Sequence, residues 1–372
     1  MFIPLKDCQT RDPELVGNKA INLSKLMEMV PKYGFEVPDG FVLDSSLTDF
    51  MPIVETKCHR NLKSWDMTLP LLKSRDMDPR GMVRWHVSKE MQGVVETYCR
   101  EELVQSVPDI KQRIGEEEWI YFYVRSSSNI SDTEEKTYAG AFESFPVVVS
   151  KIDETKLAKC LIAEYRSLFS MEALSQYLYN EQDISKVRLA VIFQELEDKT
   201  AAFSGLVRTK VKLERSSSGE GLHVMGVQGL GAAIMMMRMI YTIWPEALAD
   251  LMLRDRQAGE VKISFEVDIW KEDSTFSIDE DTRVKRDQKL RKEVNLEKGW
   301  DVVTKPIPLE QQSAKLDDDT IKTLARMCKN VEAEFGRPLY IEFAVYNTAG
   351  GMRIQLVQAR PIPGSIQIEQ MS

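Results

Sequence analysis

The feature that most constrains this chain lies at its C-terminal end. Two runs of strand-forming residues, LYIEFAV and RIQLVQARPI, flank the glycine-containing segment NTAGGM. That pattern predicts an antiparallel β-hairpin. Strand side chains alternate faces, so Tyr340, Glu342 and Ala344 share one face of their strand, and Gln358 and Arg360 share one face of theirs. Antiparallel pairing across the turn would place Glu342 near Gln358. A carboxylate beside an amide oxygen, with an arginine two residues on, suits Mg²⁺ and a polyphosphate, because Mg²⁺ takes hard oxygen ligands and shares them with nucleotide phosphates. The same residues equally suit a Glu/Arg ion pair on a sheet surface.

The rest of the chain alternates strand-like and helix-like segments. Apolar residues recur at helical spacing over residues 11–30, and Gly17 and Asn18 precede this helix. Lys19 is therefore expected near a helix N-terminus, an anion-favouring position. A short strand is expected within YGFEVPDGFVLDSS, and mostly helix over residues 55–115. Residues 119–125 read as a buried strand, followed by the loop SSSNISDTEEKTYAGAF and a second strand in FESFPVVV. The loop is expected to be mobile without ligand and to close over bound phosphates. Its serines and backbone N–H groups, next to Arg125, suit phosphate; an ordinary polar loop would look the same. A single amphipathic helix is expected over residues 154–181 and a buried strand over residues 187–195. Two further strands follow, in FSGLVRTKVKL and LHVMGVQGLG. A buried helix is expected at residues 234–243, a solvated strand-and-loop surface over the charged residues 280–298, and a helix over residues 316–334 capped by Asp317 or Asp318.

Composition narrows the function classes. The chain has 372 residues, room for about two domains at roughly 100–200 residues each. A formal charge of −9 argues against non-specific nucleic-acid binding. The five cysteines form no C-x-x-C pair and the three histidines are scattered, which fits free thiols in a reducing compartment and no zinc centre. No apolar run approaches the ~18 residues of a membrane span, and the N-terminus lacks the order of a signal peptide. A cytoplasmic protein acting away from membranes is expected. No G-x-x-x-x-G-K-[ST] P-loop occurs, and the glycine pair at Gly229 and Gly231 lacks the third glycine of a dinucleotide fingerprint.

Five segments, in order, resemble the N-terminal nucleotide-binding part of the phosphoenolpyruvate synthase, pyruvate phosphate dikinase and rifampin phosphotransferase family. LVGNKAINLSKL followed by VPDGFVL resembles the family's VGGKGANLxxL and VPPGFVI. YVRSSSNISDTEEKTYAGAFESF resembles VRSSATxED…FAGxxETF, and LAVIFQELEDKTAAFSGLVRT resembles AVIVQ…SGVxFT. GLGAAIM resembles GLGEAVV, and the C-terminal helix and hairpin ending in QARPI resemble IExxxGxPxDIEWA…QxRPI.

The resemblance implies an α+β, ATP-grasp-like fold with two lobes clasping the nucleotide, residues 1–195 and 196–365, and a tail over 366–372. It implies ATP and Mg²⁺ as cofactors. Lys19 and Arg125 would contact the ATP phosphates, and Gly140 and Ser144 would belong to the phosphate-covering loop. Gln194 and Leu196 would lie at the hinge that meets the adenine, Glu342 and Gln358 would bind Mg²⁺, and Arg360 would stabilise the transferring phosphoryl group. Lys19, Arg125 and Arg360 would form the catalytic set.

The chain departs from the family pattern at several positions. Tyr340 stands where aspartate is usual, Ala232 replaces the glutamate of GLGE, and Arg208 replaces the phenylalanine of SGVxFT. Lys212 stands near a usual proline, and Ser131 replaces the glutamate before Asp132. None of the three histidines lies in the Thr/Gly/Ser-rich context of a phosphohistidine. The resemblance thus implies ATP-dependent phosphoryl transfer, as a phosphotransferase or a dikinase-like half-reaction. The acceptor would be a small molecule or a separate phosphohistidine domain. Two other readings are open: an ATP-grasp ligase forming an acyl phosphate, and a nucleotide-binding protein without catalysis.

Overall fold

A computed structural model describes residues 1–48, 82–133, 138, 142, 144–179, 182–196, 201–212, 220–230, 265–272, 275–280, 283–285, 287–300, 302–349 and 351–362. Gly140, Lys136, Ala232 and the expected helix at residues 234–243 lie outside them. The fold is mixed, with helices packed on antiparallel sheets.

The first sheet has the order β1-β2-β5-β3-β4, with every neighbouring pair antiparallel. Its strands are β1 (Phe2–Pro4), β2 (Gly40–Leu43), β3 (Tyr121–Ser128), β4 (Ser144–Val148) and β5 (Leu189–Glu195). One face carries Phe41, Phe122, Val124 and Phe193 into a core built with helices α2 (Met82–Gly115), α3 (Glu154–Ser167) and α4 (Met171–Tyr179). The other face carries Val42, Ala190 and Ile192 onto helix α1 (Pro13–Tyr33).

The second sheet has the order β10-β8-β7-β6-β13-β14, with β9 also paired to β8. It comprises β6 (Phe203–Lys212), β7 (Glu220–Gln228), β8 (Phe265–Glu272), β9 (Thr275–Ile278), β10 (Val284–Lys285), β13 (Leu339–Thr348) and β14 (Gly351–Pro361). A separate ribbon pairs β11 (Leu290–Val294) with β12 (Val302–Pro306). Val207, Val224, Ile341 and Phe343 of the second sheet pack on α5 (Asp318–Phe335) and on α1. Helix α1 therefore lies in one continuous core with residues of both sheets.

Three expectations need correction. The serines after Arg125 are not loop: β3 runs on to Ser128, because Ser126, Ser127 and Ser128 pair with Val191, Ala190 and Leu189 of β5. The helix expected over residues 154–181 is two helices. Ser170 accepts a hydrogen bond from the Ala173 amide at 3.0 Å, so its hydroxyl caps the second helix and turns the chain between them. The charged run over residues 280–298 forms strands β10 and β11, in line with a strand-and-loop surface, but it is not solvated throughout, since Gln288 and Val294 are buried. The Asp317 cap is present, accepting from the Thr320 amide at 2.8 Å, and a left-handed Gly336 closes α5.

Gly17 decides how α1 meets the first sheet. Its φ of +73° and ψ of 158° break the helix, so the segment from Asn18 starts a fresh turn. A Cβ there would stand 2.1 Å from the Ser127 carbonyl oxygen. Only glycine allows both the conformation and the approach. Gly17→Ala should destabilise by about 2–5 kcal/mol, combining left-handed strain with overpacking. Gly34→Ala is the control: it shares a φ of +73° but meets nothing within 4 Å. Denaturant unfolding should therefore show a cost of only about 1 kcal/mol there; equal losses would mean that the contact with Ser127 carries no weight.

Candidate functional site

The break at Gly17 docks the start of α1 onto the end of β3. The Ser127 hydroxyl donates to the Val16 carbonyl at 2.8 Å and accepts from the Ala20 amide at 3.1 Å. The Asn18 amide donates to the carbonyls of Asn129 and Ser131 at 2.7 and 2.9 Å. These contacts satisfy free groups of a helix start and hold Lys19 beside the end of β3.

Arg125, on β3, reaches from the first sheet to the second. Its guanidinium donates to Gln194 Oε1 at 2.6 Å, to the Val357 carbonyl at 2.7 Å and to Gln358 Oε1 at 2.8 Å. Glu342 Oε2 lies 3.9 Å away. The expected juxtaposition of Glu342 and Gln358 is present, since they are opposite each other in the β13–β14 register. Gln358 is buried and donates to Asp132 Oδ2 at 2.9 Å. Asp132 has a φ of 57°, the only positive value among the described non-glycine residues. Asp tolerates this conformation better than most residues, and such strain gathers at functional sites.

Glu342 is half-buried, and its Oε1 is buried with no hydrogen-bond partner among the described residues. Arg360 is buried two residues beyond Gln358, with its guanidinium 5.2 Å from the centre of the Tyr340 ring. Burial and the neighbouring Arg125 lower the Lys19 pKa, while Asp132, Glu342 and Glu164 pull it back up. Burial likewise pushes the Tyr123 phenol up to about 12.

The structure thus gathers Lys19, Arg125, Gln194, Glu342 and Gln358, with Arg360 on the adjoining register position. Ser144 lies directly opposite Arg125 on β4 and is exposed. Leu196 sits apart, in an apolar cluster with Val148, Leu230 and Val294, against which Tyr121 and Tyr123 pack. Gln194 turns its oxygen to Arg125 and donates from its nitrogen to the Pro38 carbonyl at 3.1 Å. Two participants escaped the sequence reading. Asp132 was noted only beside a departure, yet it holds Gln358. Glu164 is fully buried on α3 and acts on Lys19. Its signal was available: it occupies an apolar position of the helical repeat shared by Leu157, Leu161 and Leu168.

Cations convergent on a half-satisfied carboxylate and an amide oxygen can hold a phosphorylated anion together with a small hard cation. Sequence comparison bears on the nucleotide. The family described as pyruvate phosphate dikinase, AMP/ATP-binding domain, matches residues 13–241 and 266–371. The chain belongs to this family. It is 24% identical over 359 residues to a probable phosphoenolpyruvate synthase of Methanothermobacter thermautotrophicus, covering 94% of this chain and 44% of that protein. It is 26% identical over 376 residues to the rifampicin phosphotransferase of Bacillus subtilis, covering 100% of this chain and 37% of that protein. A phosphoenolpyruvate synthase of Deinococcus radiodurans is 24% identical over 369 residues, with 97% and 41% covered. The chain spans less than half the length of these relatives. Among the described residues no helix is long and apolar enough to cross a membrane.

The charged Lys19 ammonium costs the ligand-free protein stability, because its folded-state pKa lies below the ordinary lysine value of 10.5. In the window between the two values the unfolded chain binds more protons, so stability rises with pH there. Lys19→Met should therefore melt higher than the wild type at neutral pH. The gap should narrow as pH approaches 10.5. Melting curves across pH check this, and a variant less stable at every pH would contradict it.

Proposed function

We propose that this chain binds Mg-ATP between its two sheets and carries out phosphoryl transfer from it, as a phosphotransferase or dikinase-like half-reaction. The observation that carries the reading is the buried, unpartnered Glu342 Oε1 beside Gln358, Arg125 and Lys19. A carboxylate oxygen in that position among cations has the chemistry of a ligand to a hard metal ion. Residues 1–195 and 196–365 form the two ATP-grasp lobes in this reading, with residues 366–372 a tail. The chain crosses from the first sheet to the second between Glu195 and Phe203.

The donor set fits Mg²⁺ in its nucleotide-bound form. Among the described residues no group of three His, Cys, Asp or Glu side chains is placed to hold a metal alone. Glu342 and Gln358 supply two oxygens, which suits an ion that takes its remaining ligands from phosphates and water. When bound there, Mg²⁺ would neutralise charge on the bridging phosphate oxygens.

The protein's own residues do the positioning. Lys19 and Arg360 neutralise the phosphoryl oxygens, and Arg125 exchanges its bond to Gln358 Oε1 for a phosphate, freeing that oxygen as a ligand. Ser144, with Gly140 in the segment before it, covers the phosphates and excludes water. The apolar cluster around Leu196, with Tyr121 and Tyr123, receives the adenine ring, and Gln194 links that end to Arg125. Charge neutralisation and alignment are the main contributions a protein makes to this reaction class. The acceptor is a small molecule or a phosphohistidine domain on another polypeptide segment, which fits relatives more than twice as long as the matched region. The cytoplasm, where ATP is available, is the compartment this activity implies.

Mg-ATP should raise the melting temperature; at 100 times its Kd a ligand stabilises by about 2.7 kcal/mol. Glu342→Gln should weaken Mg-dependent binding by about tenfold or more, since it removes the charge of a metal ligand without changing shape. Phosphorus NMR then reads the chemistry: AMP with a phosphorylated product marks the dikinase-like route, and ADP with an amide marks a ligase. Binding without turnover, with Tyr340 in place of a carboxylate, marks a silent nucleotide binder. No melting shift at millimolar Mg-ATP would overturn the reading.

A further inference from the structure

The strand register of the second sheet aligns five side chains in one row. Arg360 lies opposite Tyr340, Tyr340 opposite Arg208, Arg208 opposite His223, and His223 opposite Asp268. Directly paired residues point to the same face, and neighbouring strands lie about 4.8 Å apart, so the row runs about 19 Å across the sheet. It occupies the face of Glu342, while the intervening Val207, Val224, Val267 and Ile341 point into the core beneath. Arg360, with Tyr340 beside it, belongs to the Mg-ATP site proposed above. Arg208, His223 and Asp268 do not.

These three residues have an arrangement of their own. Arg208 is half-buried, and its buried Nε has no hydrogen-bond acceptor among the described residues. Its neighbours along the row are a tyrosine and a histidine rather than carboxylates. A register shift follows directly after Arg208, between it and Val211; such bulges often re-aim side chains beside active sites. His223 is largely buried, and its Nδ1 lies 2.6 Å from Asp268 Oδ1. The carboxylate can only accept, so Nδ1–H donates; Nε2 can donate to an anion in the doubly protonated ring, whose charge Asp268 balances. Apolar Leu206 and Met225, packed with Tyr340 and Leu290, flank the row on the side of Glu342. A guanidinium with no carboxylate bound among the described residues, next to apolar Leu206 and Met225 and an imidazole fixed by Asp268, matches the recognition of a small oxyanion.

We propose that Arg208 and His223 form an oxyanion-binding subsite, which holds the carboxylate or phosphate group of the phosphoryl acceptor. Its place fits that use. Arg208 sits one strand over and two residues along from Glu342, a diagonal of about 7–8 Å between backbones. An acceptor of a few carbons, anchored at Arg208 by its anion, spans that gap and brings a second oxygen to the phosphoryl group at Glu342 and Gln358. The role as acceptor site rests on the Mg-ATP reading; the oxyanion subsite itself rests on the row alone.

The test is calorimetric titration of inorganic phosphate and, separately, malonate into the protein saturated with a non-hydrolysable Mg-ATP analogue. The analogue's own affinity is measured in parallel. The wild type should bind at least one of the two anions, and which one distinguishes a phosphate-bearing from a carboxylate-bearing acceptor. Arg208→Gln and Arg208→Met should each weaken that binding by tenfold or more and leave the analogue's affinity within threefold. His223→Gln, which keeps a donor toward Asp268, should weaken it by a smaller factor and serves if either arginine variant fails to fold by its melting curve. Absence of anion binding by the wild type overturns the proposal, as does binding untouched by the folded variants. A loss of analogue affinity in Arg208→Gln equal to the loss of anion affinity also overturns it, because the row would then belong to the nucleotide. If the analogue does not bind but an Arg208-dependent anion site persists, the Mg-ATP reading falls and the subsite stands.

Discussion

The start of helix α1 bears on both sheets at once, and the rest of the structure follows from that contact. The helix is buried along Val16, Ala20, Leu23 and Leu26, in one core with Val42, Ala190 and Ile192 of the first sheet and Val207, Ile341 and Phe343 of the second. Burial on this scale supplies most of the stabilisation of a domain and is not directional. Direction comes from the polar contacts of Ser127 with Val16 and Ala20, and of Asn18 with Asn129 and Ser131, which fix where along β3 the helix begins. The left-handed Gly17 permits the close approach these bonds require. Lys19 and Arg125 are neighbours because of that packing.

Placing two cations in a largely buried site is costly, and the surroundings show how the cost is offset. Arg125 is held by three oxygens on two sheets and stands near a fourth. Lys19 has the carboxylates of Asp132, Glu342 and Glu164 around it, yet burial and Arg125 still dominate its titration. The cost to Lys19 comes first from burial and then from Arg125, and the three carboxylates offset it only in part.

Glu342 and Gln358 show how a register carries chemistry. Directly opposite positions on β13 and β14 bring an acid and an amide together, and a bulge between Glu342 and Phe343 shifts the pairing just beyond them. Continuing the same register outward produces the Tyr340, Arg208 and His223 row. Relative to the pattern the sequence resembles, a carboxylate has given way to a tyrosine and an arginine has appeared beside it. The face beyond Glu342 and Gln358 has therefore turned from anionic toward cationic while that pair itself is kept.

Much of this was readable in the residues. Period-two alternation placed Glu342, Gln358 and Arg360, the glycine-containing turn predicted their hairpin, and Asp317 marked the start of α5, because these are local effects set by a few neighbouring residues. Family membership was legible for a different reason: five short motifs kept their order. What the chain could not disclose from local pattern is where polar residues turn inward. Ser126–Ser128 read as loop because hydroxyls favour turns, and only their pairing with β5 makes them strand. Residues 154–181 read as one helix because the apolar period continues past Ser170, whose capping role depends on which way the chain then packs. Glu164 and Asp132 join the site through contacts with residues more than 100 positions away, as do Arg125 and Gln358. Local spacing determined which residues share a strand face or a helix start. The packing of α1 against two sheets decided which of those faces meet, since that depends on long-range burial that no window of sequence contains.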